Sequence, residues 1–448
     1  NKQYKLVNSV VGFIVFAISL WQYTSTLESA GSLWDCGEFV SCVYKLQVAH
    51  PPGAPFFMIL GRIFTLFNAE NPVVMVNFLS ALMSSGCVLF LFFTITLVAK
   101  KLILKEGEEL TMASIIAIVG SGAVGALACS FSDTMWFSAV EGEVYASSMF
   151  FISIVLWAVV KWNDEADRPY ANRWLVFAAY MIGVSLGVHL LSLLVIPVAV
   201  LIYYFRKFKP SIFGFLVMFG LGFIALGIVQ IGVVQFLAVK AGEMELFMVN
   251  SLGLPFNSGV LFYFISLLLL ISYTIYYGNK KENNTAVYAL LFNVVLMYSV
   301  LSTGFFVFII GIVGWLVGYV ILRFGFDHEN DKAIFWGFFG ALPRLVFYFF
   351  EKSSPRLDNR EPITVKTLNT ILISLLVIII GFSSYVMVPI RAAANPPINM
   401  NAPKDAFSLL SYLNREQYGT RALIKGPLFD AQPTGYESTG NDYYQDLK

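Results

Sequence analysis

Continuous apolar stretches, each about 20 residues long, recur along the chain between short polar segments. A helix of that length crosses a hydrocarbon core of roughly 30 Å, whereas barrel strands would show only weak alternation. The pattern predicts an all-α polytopic membrane protein with about eleven spans. These spans are 7–27, 72–99, 112–131, 146–162, a pair within 174–205, 211–239, 259–278, 285–302, 304–323 and 368–389.

Three stretches decide how the spans connect. The flanks of residues 174–205 are both basic and are both predicted to lie inside, so the chain must cross the membrane outward and back within this stretch. We therefore predict two short crossings with a turn near Gly183, Gly187 and His189. The segment 56–67, FFMILGRIFTLF, carries Arg62 in its middle and is predicted to lie on the outer surface as an amphipathic helix. The apolar, aromatic stretch 333–350 is placed on the inner surface.

The composition agrees with a membrane protein. Hydrophobic residues make up 58% of the chain and charged residues 13%, against roughly 25% charged residues in soluble domains. The net charge is +1, and the basic residues form no patch apart from those that flank the predicted spans, so we expect no nucleic-acid partner. Cysteine is sparse; Cys36 and Cys42 share one loop, where a disulfide remains an alternative in an oxidising compartment.

The distribution of Lys and Arg predicts the orientation. With the N-terminus inside, the inner segments hold 20 of the 29 basic residues, whereas the outer loops before the last span hold only Lys45, Arg62 and Lys240. This threading brings three polar clusters to the outer face: the loop 35–55, the loop 133–145 and the tail from residue 391. We therefore divide the chain into a membrane domain, 1–390, and an extracytoplasmic membrane-proximal tail, 391–448.

The loop 35–55 carries the first candidate site residues. Asp35 and Glu38 are three positions apart and would share one face of a helical turn, where they could either cap the helix or act as bases beside an apolar wall. In HPPGAP, residues 50–55, the prolines fix the backbone and should start the following helix rigidly. His50 beside this turn is either a ligand or an ordinary interface histidine.

The other two clusters supply further candidates. Glu141 and Glu143 form an acid-x-acid pattern that could hold a divalent cation, or could simply complement the dipole of the next helix. His189 is either a buried neutral histidine or a substrate ligand. Arg391 is either an interface anchor or a phosphate-binding residue.

Six motifs resemble those of a polytopic bacterial membrane family related to plexin-type protein O-mannosyltransferases and to the wider C-type glycosyltransferase superfamily. In family order the motifs are WDCGEF at 34–39, HPPGAP at 50–55, WFSAVEGEVYA at 136–146, GVSLGVHLL at 183–191, IRAAANPPIN at 390–399 and YLNREQYG at 412–419. The resemblance implies a C-type glycosyltransferase-like fold with extracytoplasmic loop helices.

The same resemblance implies the chemistry. A polyprenyl-phosphate-linked sugar would be the donor, and Ser or Thr of an exported protein the acceptor, at the periplasmic face of a bacterial inner membrane. Asp35 would be the catalytic acid, with Glu38, Glu141 and Glu143 as supporting carboxylates. Candidate substrate-binding residues are Trp34, His50, Tyr145, His189 and Arg391. Glu-Gly-Glu replaces a pair of aspartates, which leaves a divalent cation undecided, and the tail is expected to begin a larger C-terminal region.

Two other functions fit a polytopic chain. A transporter or flippase of a lipid-linked substrate would place ionisable residues near helix midpoints and show paired halves, whereas this sequence has few mid-span charges and no detectable repeat. An inactive scaffold subunit of an envelope complex would not need the acidic motifs that this chain retains.

Overall fold

The protein is all-α. The computed structural model describes residues 2–104, 108–280, 285–325, 329–357 and 364–419. Within these residues β pairing is limited to two isolated bridges, Val48 with Asn399 and Phe208 with Arg356. The predicted all-α polytopic class is confirmed.

The first part of the chain alternates long helices with short ones. Pro72 occupies the first turn of the helix Pro72–Ile103, and the Asn71 side chain accepts a hydrogen bond from the amide of Val74 at its start. The predicted surface helix 56–67 is present as a short helix that begins at Pro55. The helices are α1 (Lys2–Ser25), α2 (Cys36–Lys45), α3 (Pro55–Thr65), α4 (Pro72–Ile103), α5 (Met112–Ser130), α6 (Asp133–Ala139) and α7 (Val144–Glu165).

The stretch 174–205 folds as the predicted pair. Helix α8 (Arg173–Leu186) ends just before Gly187, a 3₁₀ turn covers Leu190–Leu194, and α9 (Val195–Lys207) continues the second helix of the pair. Gly187 is the C-cap of α8, and a Cβ there would lie 2.3 Å from the hydroxyl of Ser384, so a larger residue would not fit. The turn therefore falls where the glycine–histidine pattern predicts it.

The predicted span 211–239 ends too early. Helix α10 (Ile212–Gly227), a π-helical segment (Ile228–Phe236), α11 (Leu237–Leu246) and a second π segment (Phe247–Ser251) form one continuous helical stretch. Lys240, expected in an outer loop, is instead buried in this stretch and donates a hydrogen bond to the carbonyl of Met297. Its polar residues find partners inside the protein, so the helix does not stop where they begin.

The remaining helices complete the bundle. They are α12 (Ser258–Lys280), α13 (Thr285–Ser299), α14 (Phe305–Val320), α15 (Asn330–Phe339), α16 (Ala341–Ser353), α17 (Val365–Phe382), α18 (Met387–Ala393) and α19 (Ala406–Leu413). A π segment (Ile321–Gly325) extends α14, and 3₁₀ turns cover Ser383–Val386 and Glu416–Tyr418. The predicted tail runs beyond these elements to residue 448, and its part after residue 419 lies outside the described residues.

In the described ranges, nine of the eleven predicted spans are helices long and apolar enough to cross a membrane. The other two, α8 and α13, are shorter apolar helices. The stretch 333–350 lies in α15 and α16. Their segments Lys332–Phe339 and Leu342–Ser353 meet at a bend of 118° and together are apolar enough for one broken span. Its placement on the inner surface, like the orientation of the whole chain, stays a prediction.

Close helix packing fixes the end of the bundle where the polar loops lie. A Cβ on Gly183 of α8 would lie 2.4 Å from the carbonyl oxygen of Ile378 in α17, so the two backbones touch. Helix α4 packs against α1, α5 and α7, and α7 packs against α8. The end of α8, the end of α17 and the start of α7 are consequently held close together.

Candidate active site

The first candidate residue, Asp35, is the N-cap of the short helix α2. Its carbonyl accepts the first helical hydrogen bond, from the amide of Phe39 at 2.9 Å. Its carboxylate makes no capping hydrogen bond within the helix, and the side chain is 57% exposed. Trp34 just before it has φ 60° and is 88% exposed. Asp35 and Trp34 are therefore open to a ligand, although Asp35 occupies a capping position.

Glu38 and His50 form the best defined pair in the site. One Glu38 oxygen accepts the main-chain amide of His50 at 2.6 Å, and the other lies 3.1 Å from His50 Nδ1. This hydrogen bond holds the pKa of the Glu38 carboxyl below its ordinary value and raises the pKa of the His50 imidazole. The ring of Phe39 lies 5.4 Å from the imidazole, so His50 is held from two directions.

The turn HPPGAP holds His50 at the start of α3. The Pro51–Pro52 peptide is cis, and Gly53 and Ala54 both have positive φ, of 96° and 46°. The hydroxyl of Tyr412, from the end of the chain, donates to the carbonyl of Ala49 at 2.5 Å. A Cβ on Gly53 would lie 2.3 Å from that hydroxyl, so glycine is needed for both its space and its backbone angle. The predicted start of a helix directly after this motif is confirmed, and the rigidity of that start stays a prediction.

Glu141 and Glu143 lie behind α2 and are 5% and 4% exposed. Ser32 donates to Glu141 at 2.9 Å, and the thiol of Cys36 lies 3.8 Å from an oxygen of each glutamate. Glu143 also accepts a hydrogen bond from the amide of Val144 at the start of α7. Its carboxyl group therefore lies where it complements the dipole of that helix, as one of the two predicted roles requires. The acid-x-acid loop and the start of α2 therefore share one buried polar cluster.

Burial controls the protonation of this cluster. It raises the pKa of Glu143 to about 7, with the negative charges of Asp35 and Glu141 adding to the effect. Burial, followed by the same two glutamates, raises the pKa of the Cys36 thiol to about 12, so this thiol is a neutral donor. Cys36 and Cys42 are both free, and the disulfide alternative is therefore wrong for this structure.

His189 reaches the same region from the turn between α8 and α9. Its Nδ1 accepts the amide of Leu191 at 3.1 Å, so the proton of the neutral ring is on Nε2. The ring lies 5.5 Å from that of Tyr145, the second residue of α7. Burial lowers the pKa of His189, and the charge of Arg415 lowers it further. His189 is therefore a neutral donor facing the acidic loop.

Arg391, predicted to bind phosphate, has main-chain partners. Its Nε donates to the carbonyl of Leu46 at 2.6 Å and its terminal nitrogen to that of Lys45 at 3.2 Å, at the end of α2. The segment after it pairs with the same loop, since the amide of Val48 donates to the carbonyl of Ile398 at 3.1 Å. These contacts match a structural anchor, and its role toward a substrate stays a prediction.

Arg415 is a residue that the sequence reasoning did not single out. It lies in YLNREQYG, three residues after Tyr412, is exposed and has φ 57°. Its positive charge contributes to a lower pKa of both His50 and His189, and its guanidinium lies over the ring of Tyr418. The only sequence signal was its place in a motif behind the last span.

Residues 35–212 match a family model described as the N-terminal domain of protein O-mannosyl-transferase TMEM260. The mouse protein named protein O-mannosyl-transferase TMEM260 is 27% identical over 38% of this chain and 22% of its own length. The Dictyostelium discoideum protein of the same name is 24% identical over 40% of this chain and 21% of its own length.

Residues 35–212 of the chain are therefore similar to the N-terminal domain of a protein O-mannosyltransferase-like membrane family. The predicted family resemblance is therefore confirmed. The chain spans about a fifth of the length of these relatives, and no solved structure matches it.

The O-mannosyltransferase-like region contains most of the candidate residues. Asp35, Glu38, His50, Glu141, Glu143, Tyr145 and His189 all lie inside the matched residues 35–212. Trp34 lies just before the match, and Arg391, Tyr412 and Arg415 lie well after it. The structure brings both groups to one end of the bundle, as the threading predicts. The catalytic and binding roles of these residues stay predictions.

Proposed function

We propose that the chain is an integral membrane glycosyltransferase that moves a sugar from a polyprenyl-phosphate-linked donor to Ser or Thr of exported proteins. The relatives are named as protein O-mannosyl-transferases, which supports transfer of a sugar to a protein. The bacterial inner membrane and the periplasmic orientation belong to the same proposal. They rest on the charge asymmetry of the loops and on the motif resemblance.

One observation supports this function most strongly. Carboxylates, two histidines and an arginine, contributed by three separated loops, meet at one end of an apolar helix bundle. The contacts that join the loops are those of Glu38 with His50, Cys36 with Glu141, and Tyr412 with the carbonyl beside His50. A lipid-linked donor and a hydrophilic acceptor need such a site, polar yet beside the bilayer.

Asp35 is the proposed general base. As the acceptor oxygen bonds to the anomeric carbon, the bond from that carbon to the phosphate oxygen breaks and its electron pair leaves with the phosphate. The hydroxyl proton passes to the Asp35 carboxylate, a contribution of roughly 10² to 10⁴ in rate. Asp35 is the most exposed of the four candidate carboxylates, so an acceptor can reach it.

The departing phosphate needs positive charge or hydrogen-bond donors. We propose Arg415 and the neutral donor His189 for this role, because the Arg391 guanidinium is already bonded to main-chain carbonyls. Trp34 and Tyr145 offer aromatic faces at the same end and are the proposed contacts for the sugar and the acceptor.

The transporter alternative fits the same residues less well. It predicts that the ionisable groups lie near helix midpoints, whereas Asp35, Glu38, Glu143 and His189 lie in loops, in short helices or at helix ends. An inactive scaffold would not require the Glu38–His50 pair to be intact. Both alternatives predict that the purified chain transfers no sugar.

The test is sugar transfer by purified protein, with labelled polyprenyl phosphate mannose as donor and a peptide rich in Ser and Thr as acceptor. Mannose is chosen because the relatives carry it in their names. We expect Asp35→Asn to lower the rate by roughly 10² to 10⁴. Asp133→Asn, an exposed acid at the start of α6, is the matched control. Near-normal transfer by Asp35→Asn would remove Asp35 from the mechanism, and no transfer by wild type would overturn the proposal.

A further inference from the structure

We propose that His50 and Asp35 bind one divalent cation, with Glu38 positioning the imidazole. Binding itself follows from the geometry of these three residues. The task of the ion, to neutralise the departing phosphate, rests on the proposed glycosyl transfer.

The separation of the two ligand atoms fits an ion. His50 Nε2 lies 3.8 Å from Asp35 Oδ2, which is too far for a hydrogen bond. Protein ligands lie about 2.0 to 2.2 Å from zinc or magnesium, so one ion would fit between these two atoms. One atom from each of Asp35, Glu38 and His50 lies within 4.8 Å of the others, and the described ranges contain no second group of this kind.

Glu38 fixes the orientation and the tautomer of the His50 imidazole. Its carboxylate lies 3.1 Å from Nδ1 and also accepts the His50 main-chain amide. When Nδ1 carries the proton of the neutral ring, the lone pair of Nε2 is on the side of Asp35. A carboxylate that accepts the second N–H of a metal-binding imidazole is the usual arrangement in metal sites, where it fixes the tautomer and ring orientation.

The surroundings favour a cation with open coordination positions. The side chain of Asp35 is 57% exposed and that of His50 is 22% exposed, so water or a phosphate oxygen can complete the coordination. The carboxyl groups of Glu141 and Glu143 lie beside Cys36, the residue after Asp35, and the positive charge of Arg415 acts on His50. With few protein ligands, we expect modest affinity that substrate phosphate strengthens, as is common for ions that bridge carboxylates and phosphates.

The first test uses wild-type protein and needs no substitution. The purified chain is treated with EDTA, exchanged into buffer without chelator at pH 7.5 and titrated with Mn²⁺, while electron paramagnetic resonance measures free and bound ion. We expect saturable binding near one equivalent, and electron spin echo modulation should show coupling to a nitrogen nucleus. Unsaturable binding, or a bound ion without nitrogen coupling, would overturn the proposal.

The second test compares variants. His50→Ala and Asp35→Asn should each weaken Mn²⁺ binding at least tenfold, and Glu38→Gln should weaken it by about 10- to 100-fold because the imidazole loses its orientation. Asp133→Asn serves as the control and should bind Mn²⁺ like wild type. Unchanged affinity in His50→Ala would contradict the assignment.

The two proposals fail in different ways. Saturable Mn²⁺ binding through His50 without any sugar transfer would keep the cation site and refute the glycosyl-transfer function. Sugar transfer that EDTA leaves unchanged, together with no saturable Mn²⁺ binding, would refute the cation site and keep the enzyme.

Discussion

Replacing Glu143 by Gln should remove a pH-dependent contribution from the stability of the folded protein. Burial, with the charges of Asp35 and Glu141, raises the pKa of Glu143 from 4.5 to about 7. At 1.36 kcal/mol per pKa unit, this difference corresponds to about 3 kcal/mol of stability. The side chain is 4% exposed, so solvent screens little of it.

The sign follows from proton binding in the two states. The unfolded chain loses this proton near pH 4.5, whereas the folded protein keeps it until about pH 7. Between these values the folded state binds more protons, so the free energy of unfolding falls as the pH rises and is level above about pH 7. Gln has no proton to lose, and its side-chain oxygen can still accept the Val144 amide. The variant should therefore be more stable than wild type above pH 7.

The assay is the apparent melting temperature in detergent at several pH values between 5 and 8, in the presence of EDTA so that no cation competes for the site. The difference between wild type and Glu143→Gln isolates this residue from the other titrating groups. Infrared spectra of the same pair follow the protonated carboxyl band and should give a midpoint near pH 7. Asp133→Asn is the control. An identical pH slope in both proteins, or a midpoint below about pH 5, would refute the reasoning.

Three further substitutions test the tail contacts. Arg391→Ala should lower the free energy of unfolding by about 1 to 3 kcal/mol, because the carbonyl of Leu46 loses a charged hydrogen-bond donor. A raised KM for the lipid-linked sugar without a change in melting temperature would instead mean that Arg391 binds phosphate. Tyr412→Phe should cost about 1 to 3 kcal/mol by leaving the buried Ala49 carbonyl unpaired, which thermal melting detects. Arg415→Gln should raise the KM for a lipid-linked donor about tenfold with little change in melting temperature, a loss near 1.4 kcal/mol, and an unchanged KM would exclude it from phosphate binding.

The apolar pattern was enough to predict the bundle and the end at which the polar loops meet. Continuous apolar runs gave each predicted span a helix, and the Lys and Arg count placed the loops 35–55 and 133–145 on one face, where Cys36 contacts both glutamates. The apolar runs and the distribution of Lys and Arg are informative because an unpaired backbone group or a charge in the middle of the bilayer is energetically costly.

Predictions failed where a polar residue finds its partner in a different helix or loop of the chain. The run after residue 239 has the polar composition of a loop, but Glu245 accepts the amides of Asn257, Gly259 and Val260, and Lys240 donates to Met297. The roles of Arg391 and Arg415 likewise depend on residues more than 200 positions away in the sequence. No local pattern encodes such distances.

The site needs the contacts made by the tail as well as the sequence motifs of the first loops. Most residues of the proposed chemistry, apart from Arg415, lie between Trp34 and His189. The loop Leu46–His50 among them is held from the other end of the chain by Arg391, Ile398 and Tyr412. His50 sits at the end of that loop, and its imidazole faces Glu38 and Asp35 only while the loop keeps its path. A substitution that removes the tail contacts should therefore disturb Asp35, the His50 imidazole and the proposed cation together, although no residue within the matched region 35–212 has changed.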